Sequence, residues 1–115
     1  MTRIVFYCRR GVYYGFRETG HAGFGDAGQD VVCAALSAMT MLVVNTLEVV
    51  HGLDVAYTVE EKTTNVTVIC ESALPGSADE KKQYAAASLI YGYYLQLVSL
   101  LEDYYDYLEV ETEER

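Results

Sequence analysis

The sequence predicts an α+β fold, a two-layer sandwich in which a mainly antiparallel sheet packs against two long helices in the order ββαββα, with a short strand closing the chain. Three observations carry this. Short β-branched and aromatic runs occur in pairs separated by turn-like residues, long helix-permissive stretches separate the pairs, and the pairs are too close in sequence for parallel crossovers. At 115 residues, about half of them apolar, the chain is the size of one core, and residues 1–115 are expected to form a single domain.

Each element has its own signal. "RIVFYC" and "GVYYGFRETG", parted by Arg9, Arg10 and Gly11, read as a hairpin. From Gln29 or Asp30 to about Val50 runs the first helix, with Asp30 as its N-cap and Gly52, after His51, as its stop. Its apolar residues occupy nearly the whole circumference, which predicts burial on more than one side, by the sheet and by a partner subunit. "LDVAYTVE" and "NVTVICES" make a second hairpin around "EKTT". "SALPGSADEKK" breaks the chain, with a serine to begin the second helix, which runs from about Ala78 to the region of Tyr104 on an apolar stripe at helical spacing. "YLEVETE" then alternates like a brief edge strand, with a frayed helix end as the other reading.

Composition excludes several function classes. The formal charge of −9 disfavours direct binding of nucleic acid, because phosphate contacts are made by Lys and Arg, and favours a basic protein or peptide. Eleven tyrosines and no tryptophan suggest half-wet surfaces such as a groove or a subunit contact. Cys8, Cys33 and Cys70 form no CxxC pair, which indicates neither a disulfide framework nor a metal site; no metal or cofactor is expected. "MTRIVFYCRR" lacks the apolar stretch of a secretory leader, and Val31–Val44 is short for a membrane span, so the expectation is a cytoplasmic protein with no membrane contact.

The chemistry concentrates in "GHAGFGDAGQDVVCAALSAM", residues 20–39. A thiol attacks as thiolate, and the start of a helix favours negative charge on sulfur. With Asp30 as cap, Cys33 falls in the first turn, although the capping carboxylate works against the charge. His21, twelve residues earlier in a glycine-rich loop, could reach the sulfur as general base. The glycines could let backbone amides approach a bound chain. Ordinary readings compete: a small buried cysteine, an idle loop histidine, or a phosphate-cradling loop, the last opposed by the two carboxylates and by the lack of GxGxxG or GK[ST]. Cys8 and Cys70, in apolar strands, read as buried and inert, and His51 as a residue complementing a helix C-terminus.

The same stretch, preceded by "GFRET", resembles the signature of the ribosomal-processing cysteine protease family, G-H-A, an acidic glycine-containing stretch, then G-x-D-[IV]-V-C-A-A-x-S. The length, element order and "YDYLEV" ending resemble it too. The resemblance implies a cytosolic bacterial endopeptidase that removes an N-terminal extension from a basic large-subunit ribosomal protein lying near the peptidyl-transferase centre, with an apolar groove beside the nucleophile, and implies a homodimer. It implies Cys33 as nucleophile and His21 as base, and matches Gly20, Asp30 and Ser37 to family positions. Asp30 is left between a third catalytic member and a helix cap, and Ser37 between a site contact and a hydroxyl bonded back to its own helix. Gly23, Phe24, Gly25 and Gly28 are read as a substrate-ordered gate over Cys33. A non-catalytic assembly factor that binds a ribosomal protein's tail is the alternative.

Overall fold

The computed structural model describes residues 1–20 and 27–115. The chain runs β1 (Thr2–Arg9), β2 (Val12–Thr19), α1 (Ala27–Asn45), β3 (Ala56–Val59), β4 (Val66–Ile69), α2 (Glu80–Tyr104) and β5 (Leu108–Glu114). One five-stranded sheet has the order β3-β4-β2-β1-β5. All its pairings are antiparallel except β1 with β5, which is parallel. The α+β architecture with two long helices is the expected one, and the alternating C-terminal segment is an edge strand.

The β1–β2 hairpin closes through Arg10 and Gly11, both at positive φ, 50° and 80°. That conformation matches the right-handed twist of the strands it joins, as two-residue hairpin turns require. Along β1 and β2, Ile4, Phe6, Phe16 and Glu18 turn to the helical layer and are sealed from solvent. Tyr93 of α2 stands edge-on to both phenylalanines, with centroids 5.6 and 5.0 Å away. The core closes with Val32, Leu36, Val43 and Leu47 from the first helix and Ile90 and Leu97 from α2. On the open side of the sheet, the Arg115 guanidinium covers Tyr7 at 4.8 Å and Arg9 covers Tyr14 at 5.1 Å, so these rings are shielded without a second helical layer.

Both helices differ from the sequence reading at their ends. α1 is already helical at Ala27, which places Asp30 inside the first turn rather than at the N-cap. Beyond Asn45 the helix widens into a π-helical turn, Thr46–Val50, and ends where Leu53 N–H bonds the Leu47 carbonyl at 2.9 Å beside Gly52. α2 is capped by Asp79, whose side chain accepts the Lys82 N–H at 3.0 Å, and not by a serine. The first helix with its π turn spans 24 residues and α2 spans 25, each long and apolar enough to cross a bilayer by length and composition, a test that the core helices of soluble proteins also pass. In the fold each turns one stripe to the sheet. Val31, Leu42, Val49 and Val50 of the first helix, and Tyr84, Leu95 and Val98 of α2, stay exposed.

Candidate active site

Of the three cysteines, Cys8 and Cys70 are buried in or beside strands, and burial pushes the Cys70 thiol up; only Cys33 is partly exposed. It lies in the second turn of α1, one turn deeper than an Asp30 cap would place it. Because the helix-terminus field fades within about one turn, side chains around the sulfur matter more than the dipole. Two are present. Gln29, one turn earlier on the same face, donates from Nε2 to the sulfur at 3.4 Å and to Thr2 Oγ1 at 2.9 Å. Thr2 Oγ1 is itself 3.8 Å from the sulfur. Thr2 is fully buried and Gln29 nearly so, so both are fixed by packing at the junction of β1 and α1.

Two glycines shape this corner. Gly20, at φ +79°, follows β2, and a Cβ there would lie 2.3 Å from the Met1 carbonyl oxygen and 3.6 Å from Thr2 Cα. Only glycine lets the end of β2 lie on the residue that touches the sulfur. A Cβ on Gly28 would come within 2.4 Å of the Tyr107 ring. Gly28 is therefore a packed helix residue, and its assignment to a gating loop is corrected. His21, Gly23, Phe24 and Gly25 lie outside the described residues.

Asp30 is exposed in the first turn of α1, where a carboxylate complements the positive end of the helix. Ser37 is exposed one turn beyond Cys33 and lines a cavity of about 270 Å³ with Met41, Tyr57, Thr64 and Val66, and with Glu18 and Thr40 at its inner side. Among the described residues, the helix hydroxyls that bond back one turn are Thr46 and Ser99. Among the same residues no group of three or more His, Cys, Asp or Glu side chains could hold a metal ion.

Sequence reasoning missed a second polar cluster. Glu18 Oε1 accepts from Thr40 Oγ1 at 2.5 Å and from Tyr93 OH at 2.9 Å. Burial raises the Glu18 carboxyl above its ordinary range, opposed by those two hydrogen bonds. The Tyr93 phenol is pushed up by burial first and by the Glu18 charge second. Both overlooked groups carried a signal. Period-two alternation in "GFRET" puts Glu18 on the same face as Phe16, and stepping back from Leu36 and Val32 at helical spacing lands on Gln29.

The fold and this corner define a class: an α+β sandwich carrying one accessible cysteine where a long helix meets the sheet, in contact with polar donors. The cysteine protease Prp family model matches residues 1–109, and the chain belongs to that family. It is 33% identical over 97 residues to the ribosomal processing cysteine protease Prp of Bacillus subtilis, covering 84% of this chain and 83% of the relative. A solved structure from Streptococcus mutans superposes with TM-score 0.80 at 29% identity, over 100% of this chain and 99% of the other. The ribosomal processing protease Prp from S. aureus, solved in complex with a substrate peptide, shares the fold with TM-score 0.80 at 17% identity, over 98% and 100% of the two chains. The protein is thus a cysteine protease, and the non-catalytic binder is set aside.

Proposed function

We propose that Cys33 is the nucleophile and His21 the general base of an endopeptidase that removes the N-terminal extension of a large-subunit ribosomal protein. The observation that carries this reading is the state of the three thiols: two are buried, and Cys33 stands partly exposed where α1 meets β1. The end of β2, one residue before His21, rests on that same junction, which supports a base from this strand end. In the reaction the sulfur attacks the scissile carbonyl carbon as its proton passes to the imidazole. The leaving amine takes that proton, and water then cleaves the thioester to release the acid and restore the thiol. The names of the relatives, ribosomal processing proteases, support the substrate class.

The cavity beyond Cys33, with Met41, Tyr57 and Val66 in its wall, supports an apolar extension lying along α1. Gly20, Asp30 and Ser37 support the site: Gly20 by seating the strand end, Asp30 by its charge in the first turn, and Ser37 by lining that cavity. The net charge of −9 fits a basic substrate met in the cytoplasm. The exposed apolar residues of both helices support a homodimer, and the parallel β1–β5 pairing, which ties the two ends of the chain together, supports residues 1–115 acting as one catalytic domain. Mass spectrometry of the ribosomal protein after incubation with wild type, Cys33→Ala and His21→Ala tests the proposal. A shortened product with wild type only is expected, and full activity in Cys33→Ala overturns it. Light scattering on a sizing column tests the dimer.

A further inference from the structure

We infer that Gln29 and Thr2 are positioning residues for Cys33, a two-donor cradle that aims the sulfur and stabilises it when it carries charge. The inference rests on the reading of Cys33 as nucleophile. A glutamine in the first turn of a helix would ordinarily extend into water, yet Gln29 is only 5% exposed and Thr2 is fully buried. Burying two polar side chains at a strand–helix junction is unfavourable unless their hydrogen bonds are made, and among the described residues these two bond to each other and approach one sulfur.

The direction of those bonds is informative. The Gln29 amide nitrogen has two hydrogens and lies 2.9 Å from Thr2 Oγ1 and 3.4 Å from Cys33 Sγ. Because Thr2 Oγ1 accepts from Gln29, its own hydrogen can point to the sulfur at 3.8 Å. An ordered chain of donors thus converges on Sγ, and each donor polarises the next. Hydrogen bonds to an ion are roughly twice as strong as those between neutral groups, so the cradle holds the anionic sulfur more tightly than the thiol. The two donors come from different elements, β1 and α1, which fixes the direction from which the sulfur can be approached.

The test is the rate at which iodoacetamide alkylates Cys33 at fixed pH, followed by mass spectrometry of the peptide containing it. Cys8 and Cys70 are buried, so the early label reports Cys33. Gln29→Leu is expected to slow alkylation about tenfold, the size expected for losing a hydrogen bond to a charged group. Thr2→Val is expected to slow it by a smaller factor, and Thr2→Ser, which keeps the hydroxyl, to restore the wild-type rate. In peptide turnover, kcat falls with alkylation while KM stays. Wild-type alkylation in a folded Gln29→Leu, or equal rates for Thr2→Val and Thr2→Ser, overturns the inference. Should Gln29→Leu not fold by its melting curve, the Thr2 pair decides in the same way. Alkylation reads the sulfur without turnover, so undiminished cleavage by Cys33→Ala would remove the catalytic reading and leave the cradle result separate.

Discussion

Two polar clusters lie along the buried face of α1, and they differ in exposure. At the N-terminal end Gln29 and Thr2 meet the partly exposed Cys33; two turns further on, Thr40 meets Glu18 and Tyr93, all three buried, at the floor of the cavity that Ser37 lines. Both bridge helix and sheet with side-chain hydrogen bonds. A buried carboxyl surrounded by hydroxyls holds layers together, whereas a sulfur held by buried donors and open on one side can also meet a substrate. Accessibility, and not polarity, separates reactivity from cohesion here.

The comparison is broken most severely by Cys33→Ala. Cleavage is expected to fall by a factor on the order of 10³ or more, read by peptide turnover, with the melting temperature nearly unchanged. If this variant unfolds instead, the open cluster is cohesive after all. Next is Gly20→Ala, which forces a side chain into positive φ against the Met1 carbonyl; denaturant unfolding is expected to show a loss of about 2–4 kcal/mol, with activity lost alongside. In the buried cluster, Tyr93→Phe removes a hydrogen bond to the carboxyl. It is expected to cost about 1–2 kcal/mol in the same assay while leaving Cys33 alkylation as in wild type.

A subtler effect concerns pH. Because the folded Glu18 carboxyl is raised above its unfolded value, the folded state binds the extra proton, and stability falls as pH rises from about 4.3 through the folded value. Glu18→Gln keeps an acceptor oxygen for both hydroxyls and removes the titration, so its melting temperature is expected to decline less over that window. An equal decline in both proteins assigns the pH dependence elsewhere. The smallest effect is expected for Arg3→Gln at the exposed Arg3–Glu111 pair, 2.6 Å apart. Its melting temperature should differ from wild type only at low salt.

Most of the fold was legible because its signals are local: β-branched pairs, an Arg-Gly turn, an apolar stripe, a proline break. The helix start was not. "DAGQD" offers several residues able to begin a helix, and choosing among them depends on tertiary contacts such as Gly28 against Tyr107. The cysteine proposed as nucleophile was legible through its motif. Its neighbours were harder to see, since Thr2 and Cys33 are 31 residues apart and nothing in either segment names the other. Glu18 and Gln29 were overlooked although periodicity places both on core-facing stripes, because a polar residue was not expected there.

The parallel pairing of β1 with β5 has a consequence for synthesis. Thr2 N–H bonds the Tyr107 carbonyl at 2.9 Å, and Tyr107 also packs against Gly28. The residues around the sulfur are translated among the first thirty or so, yet their support comes from residues 107 and 108. A nascent chain holding only the first helix and hairpin has an unsupported β1 edge. The strand pairing beside the thiol corner is therefore complete only once the chain has reached residue 108.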